Sequence, residues 1–138
     1  MVLCRSADGT RLKAKIIDFG LSKAQFSKMS VDASAVGTSG YIAPESGEDD
    51  ETCQIDIFSY GCVLVFLLGR HHADPFSGFS QRNYFKKLNM AYIRREDLVP
   101  DELSDIEDDQ TRSLVRSCFN IEPEERPTAG ELLAELEK

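Results

Sequence analysis

The stretch KIIDFGLSK, Lys15 to Lys23, decides how this chain is read. Ile16 and Ile17 are β-branched, favour an extended backbone, and run directly into Asp18-Phe19-Gly20. A carboxylate is thereby placed at the end of a strand, followed by an aromatic ring and a residue whose backbone turns freely. Taken alone, the tripeptide reads first as an ordinary Asp-x-Gly turn. Its surroundings change that reading.

Upstream, VLCRSADGTRLKAKIIDF has the pattern of a hairpin, with Asp8-Gly9 in the turn and Leu12, Ala14 and Ile16 alternating with Arg11, Lys13 and Lys15. Downstream, no period persists from Leu21 to Ile42. The spacing predicts a long loop, which compact domains seldom carry without a use for it. After the acidic turn GEDDE, Gly47 to Glu51, the run IDIFSYGCVLVFLLG from Ile55 to Gly69 has apolar residues on every side of a helix and predicts a central, buried one. It falls short of the roughly 20 residues a bilayer core demands, and Asp56, Ser59 and Gly61 interrupt it. RHHADPFSG then reads as a loop. SQRNYFKKLNMAYI reads as a helix capped by Ser80 with Tyr84, Leu88 and Ala91 inward, Arg95 to Asp109 as a solvated acidic connection, and TRSLVRSCF as a helix with Leu114, Val115, Cys118 and Phe119 on one face. Thr128 and Glu131 form a T-x-x-E capping box before a stripe of Leu132, Leu133 and Leu136. The expected fold is mainly α with a small β-ribbon.

The totals narrow the function. The chain has 138 residues, 16 basic and 24 acidic side chains and a formal charge of -8, so long-range attraction to nucleic acid or anionic lipid is disfavoured. Cys4, Cys53, Cys62 and Cys118 are far apart, with no C-x-x-C pair and no histidine at ligand spacing, and read as reduced thiols rather than a disulfide framework or zinc site. No signal-peptide core opens the sequence, so a cytoplasmic chain, or the cytosolic portion of a larger protein, is expected.

DFG at 18 to 20 is followed by VGTSGYIAPE at 36 to 45, DIFSYGCVL at 56 to 64 and EERPTAGELL at 124 to 133. Four phrases in this order and spacing resemble the C-terminal lobe of a eukaryotic-type serine/threonine protein kinase, over nearly the whole chain. Within that family DIFSYGCVLVFLL with DPFSGFSQRN is similar to the stress-sensor kinase/ribonucleases, and LVRSCFNIEPEERPTAGELLAEL is similar to the tyrosine-kinase-like group. The resemblance implies a partial kinase domain over 1–138: the hairpin and Asp-Phe-Gly at 2–20, an activation segment at 18–45 and a helical C-lobe at 52–138.

By that resemblance Asp18 holds the magnesium bridging the ATP phosphates, a hard cation that wants carboxylate oxygen, while Phe19 sets active or inactive poses and Gly20 allows the turn. Glu45, in Ala43-Pro44-Glu45, is implied to pair with Arg126. Asp56 is implied to be structural, at the start of the buried central helix and held by backbone N–H donors of the catalytic loop. Gly37 and Thr38 are implied to shape the acceptor pocket, with Tyr41 in the same phrase. Ser22, Ser27, Ser30 and Ser34 lie between the anchors, and Ser27, Ser30 and Ser34 are candidate phosphorylation sites.

The sequence has no phosphate-covering glycine loop, no V-A-I-K-like lysine phrase and no His-Arg-Asp loop ahead of Asp18. His72-Ala73-Asp74 imitates the last of these, but lies beyond the central helix and lacks the downstream lysine and asparagine. The expectation is therefore a chain truncated before the Asp-Phe-Gly motif, inactive alone, with ATP and Mg2+ bound only in the complete kinase. The partner is a protein substrate or docking partner, with no nucleic acid and no membrane span. The alternative is a non-catalytic kinase-like interaction module.

Overall fold

The computed structural model describes residues 2–5, 12–17, 38–47 and 52–137. The chain divides into two compact units, Met1–Val31 and Asp32–Lys138. In the first, strands β1 (Val2–Arg5) and β2 (Leu12–Lys15) pair antiparallel in the register Val2 with Lys15 and Arg5 with Leu12. The alternation of residues 12 to 15 suits a two-stranded ribbon. Asp8-Gly9, Asp18-Phe19-Gly20, Gly37 and the loop serines lie outside the described residues.

The second unit is helical. Its centre is α1 (Gln54–Leu68), where Phe58, Cys62, Leu64 and Val65 are buried and Phe58 meets Phe119 edge-on with ring centroids 5.2 Å apart. Gly61 lets the segment after α3 (Asp109–Ser117) come close: a Cβ there would sit 2.7 Å from Cys118 Cβ and 3.2 Å from Phe119 Cζ. Next in the chain after α1 comes α2 (Gln81–Arg94), with Tyr84, Leu88 and Ala91 buried. The last helix, α4 (Ala129–Leu136), covers Ile57 and Cys118 with Leu132.

The helix starts are built from local chemistry. Ser80 Oγ accepts from Asn83 N at 3.4 Å, and Asp108 accepts from Thr111 N at 2.6 Å. Thr128 and Glu131 complete the reciprocal capping box, with Thr128 N donating to Glu131 Oε2 at 2.8 Å. Hydrogen bonds from Thr111, side chain before backbone, hold the Asp108 carboxyl below its ordinary value. Those from Thr128, backbone before side chain, do the same for Glu131.

Three expectations need correction. Arg95 to Asp109 is not merely a solvated connection, because Leu98, Pro100, Leu103 and Ile106 are buried in the core. A 3-10 stretch, Asp101–Asp105, with three residues per turn brings Leu103 and Ile106 to one side while Asp101 and Ser104 are exposed. The central helix is not buried all round: Tyr60, Leu67 and Leu68 are exposed, because the described neighbours pack on its Phe58–Cys62–Val65 side. In α4 only Leu132 of the expected stripe is buried, since the helix touches the body along a single row. The cysteines divide as well: Cys62 and Cys118 are buried free thiols and Cys53 is an exposed one. Burial pushes the Cys118 thiol up to about 11, and the Cys62 thiol up as well, keeping both protonated.

Two measurements probe this packing. Gly61→Ala should lower unfolding stability by about 1–3 kcal/mol in urea titrations through overpacking against Cys118 and Phe119, and an unchanged midpoint would contradict the close approach. The depressed carboxyls of Asp108 and Glu131 contribute stability above their ordinary pKa values of 3.8 and 4.5, and lose it as pH falls through the lower folded values. Asp108→Asn with Glu131→Gln should accordingly flatten the acid limb of a stability–pH curve.

Candidate functional site

The segment Thr38 to Gly47, TSGYIAPESG, is short of regular structure and yet held on several sides. Two turns shape it, with Tyr41 N donating to Thr38 O at 3.0 Å and Ser46 N to Ala43 O at 3.1 Å. Gly40 has φ 93°, a conformation that L side chains rarely adopt, and a Cβ there would meet Pro75 O at 2.9 Å. Ile42, Ala43, Pro44 and Glu45 are buried, so the backbone through them needs partners inside the protein.

Those partners are side-chain hydroxyls from distant elements. Tyr84 Oη of α2 donates to Ile42 O at 2.7 Å in a buried bond, and Ser59 Oγ of α1 donates to Tyr41 O at 2.7 Å. Tyr41 Oη in turn donates to Asp74 Oδ1 at 3.1 Å, tying the segment to the turn after α1. Burial first, then the bond to Asp74, pushes the Tyr41 phenol up to about 12, and burial raises Tyr84 further, so both remain donors across the physiological range. The turn itself is braced by Glu102, which accepts from Phe76 N at 3.1 Å and Ser77 N at 3.2 Å and so holds Phe76 at a positive φ of 59°.

At the end of the segment Glu45 meets Arg126, 81 residues away in sequence, in a two-pronged ion pair. Arg126 Nη1 lies 2.5 Å from Glu45 Oε1 and Nη2 lies 2.9 Å from Oε2. Arg126 is 3% exposed and Glu45 6%, which removes both charges from water. Two further guanidinium donors are also used: Nε reaches Asn120 O at 2.8 Å and Nη1 reaches Gln54 O at 2.9 Å. Gln54 Nε2 returns a bond to Arg126 O at 3.0 Å, and the guanidinium lies 5.4 Å from the Phe58 ring centroid. Among the described residues no buried side-chain polar atom lacks a partner.

Thr38, Tyr41, Ile42, Ser46 and Asp56 border an open cleft of about 370 Å³. Asp56 is exposed in the first turn of α1, and the catalytic-loop donors implied for it are not among these 138 residues. A second cleft of about 600 Å³ runs from Thr38 past Asp74 and Phe76 to Gln81. No three His, Cys, Asp or Glu side chains among the described residues converge to hold a metal ion, and Asp18 lies outside those residues. Tyr84, Ser59, Gln54 and Asn120 escaped the sequence reading because they act through hydroxyls, amides and backbone carbonyls that leave no spacing pattern. Asp74 was visible only as part of a false catalytic phrase.

A helical lobe with a small β-ribbon, in which the glutamate of an Ala-Pro-Glu phrase is clamped by a distant arginine, defines the class: it is the helical part of a protein-kinase-like fold. The chain belongs to the protein kinase domain family, whose profile matches residues 2–136. It is similar to a probable serine/threonine-protein kinase, PkwA, of Thermomonospora curvata, 34% identical over 134 residues that make up 95% of this chain and 16% of that protein. The serine/threonine-protein kinase AfsK of Streptomyces coelicolor is 34% identical over 127 residues, 88% of this chain and 14% of its own length. A Dictyostelium discoideum dual specificity protein kinase, shkC, is 32% identical over 91% of this chain and 24% of its own length. The chain thus spans less than a quarter of the length of these relatives and holds part of a serine/threonine protein kinase domain.

Replacing either partner of the buried pair strands the other charge. Glu45→Ala or Arg126→Ala should therefore cost about 3–5 kcal/mol in urea unfolding, whereas Glu45→Leu with Arg126→Met should recover most of the loss. A cost under about 1 kcal/mol for both single changes would mean that the pair is solvated.

Proposed function

We propose that this chain supplies the catalytic metal-binding strand end, the activation segment and the substrate-facing floor of a serine/threonine protein kinase domain. In complete kinases of the family magnesium-bound ATP supplies the phosphoryl group. Asp18 is the residue of this chain that meets the metal, and Phe19 and Gly20 set its pose. Residues 18–45 form the activation segment, ending where Glu45 is anchored, and 52–138 form the lobe beneath it. Ser27, Ser30 and Ser34 are the segment's candidate phosphorylation sites.

The observation that carries this reading is the Glu45–Arg126 clamp together with the Tyr84 and Ser59 bonds to the adjoining carbonyls. Catalysis of phosphoryl transfer is largely positioning, and a peptide substrate is positioned only by backbone that does not move. Tyr41 and Ile42 are held so, and Gly37 and Thr38, beside them in the chain, shape the pocket for the residue following the acceptor hydroxyl. Asp56, exposed on the same cleft as Thr38, faces the side where a catalytic loop would pack and supplies a carboxylate to its N–H donors. The substrates are proteins, phosphorylated on serine or threonine in the cytosol, where ATP and magnesium are abundant.

These 138 residues by themselves do not transfer phosphate, because the lysine, glycine loop and base that complete the chemistry are not among them. With radiolabelled ATP, magnesium and casein, the purified chain should incorporate no more label than Asp18→Ala. In a longer chain holding these residues within a whole kinase domain, label should appear on serine and threonine and vanish in Asp18→Ala. Sustained transfer by the isolated chain that is lost in Asp18→Ala would refute its inactivity, and transfer surviving that change in the whole domain would refute the role of Asp18.

A further inference from the structure

Helix α2 presents a face that no described residue covers. Its inward row is Tyr84, Leu88 and Ala91, and on the opposite side Ile93 is 74% exposed and Met90 37%. Arg82, Lys86, Met90 and Arg94 follow one another at four-residue steps, so their side chains form a continuous outward stripe about 18 Å long with Ile93 beside Met90. The helix contains no acidic residue.

The other arginines and lysines described in this unit are accounted for. Arg70, Arg95, Arg112, Arg116 and Arg126 each face a carboxylate, and Lys87 lies 4.0 Å from the Phe79 ring centroid. Arg82, Lys86 and Arg94 have no such partner among the described residues, in a chain whose acids outnumber its bases by 24 to 16. Among the described residues, many of them carboxylates, these three cations stay unpaired around two exposed apolar side chains.

We infer that the Arg82–Lys86–Met90–Ile93–Arg94 face of α2 is a docking site for an acidic segment of a partner protein, with carboxylates flanking an apolar anchor. Charge complementarity argues for that occupant. A narrow acidic segment meets only the stripe, whereas a flat anionic membrane also approaches the surrounding acids of a chain carrying -8, and screening limits each contact to about 8–10 Å. A second copy is a poorer fit, because the acids of its Asp101 to Asp109 stretch are largely engaged: Glu102 braces the turn, Glu107 pairs with Arg70, Asp108 caps α3 and Asp109 pairs with Arg112. None of these five side chains lines either Thr38 cleft, although the second cleft reaches Gln81 at the start of α2, and the interaction does not depend on phosphoryl transfer.

The test uses the purified chain and a fluorescein-labelled helical peptide with glutamate at every fourth position beside leucine, against a counterpart with lysine for glutamate. Anisotropy should show binding of the glutamate peptide only, weakening as salt rises. Ile93→Ser should weaken it about tenfold, and Arg82→Glu with Lys86→Glu should transfer preference to the lysine peptide. These positions are exposed, so urea midpoints should stay near the parent value, and each variant tests the site if the other fails to fold. No binding of the glutamate peptide, or equal binding by parent and variants, overturns the proposal. So does co-sedimentation with phosphatidylserine vesicles, or self-association in ultracentrifugation, that is lost in Ile93→Ser while the peptide does not bind.

Discussion

The second unit of the molecule depends on two opposite charges held out of water. Taking Glu45 and Arg126 into the interior costs several kcal/mol per ion, and their attraction offsets this only if every remaining donor and lone pair is also met. The structure adds carbonyls from Asn120 and Gln54 and the face of Phe58 around the guanidinium, and among the described residues no buried side-chain polar atom lacks a partner. Because those partners come from the start of α1, from its interior and from the turn before α4, the pair joins elements that no local interaction would bring together. Its chief contribution is to arrangement, since an alternative packing would leave a bare charge inside.

The backbone leading to Glu45 inherits that rigidity. Its carbonyls at Tyr41 and Ile42 are taken up by hydroxyls of α1 and α2, and Gly40 lies against the Pro75 carbonyl where no side chain would fit. Irregular backbone is normally left to the surface, where water satisfies it. Burying it with dedicated partners is worthwhile where its course must be reproducible, and in the protein kinase family that requirement follows from a reaction accelerated by placement. The turn at Asp74 to Ser77, held at an unusual backbone angle by Glu102, extends the same fixed surface.

Local signals in the chain were readable where a few neighbouring residues decide the outcome. The Thr128–Glu131 capping box, the Ser80 cap and the inward row of Tyr84, Leu88 and Ala91 each follow from residues within a turn or two of one another. The stretch from Asp101 to Asp105 was misread because charged residues dominate its composition, while only two apolar residues, Leu103 and Ile106, mark the side that a single 3-10 turn buries. Burial of Leu133 and Leu136 was over-read, because an amphipathic stripe states which face can pack and not whether a neighbour is there.

The order of the four phrases was enough to establish a resemblance to the kinase helical lobe, and it was that resemblance, not the spacing itself, that named Glu45 and Arg126 as partners. Their depth of burial, the exposure of Asp56 and the bonds from Tyr84, Ser59 and Asp74 were decided only by tertiary structure. A hydroxyl or a carboxylate carries no record in the sequence of which distant carbonyl or phenol it will meet. Solvation is likewise a property of the packed neighbours and not of the residue, so it becomes definite only once the helices have come together.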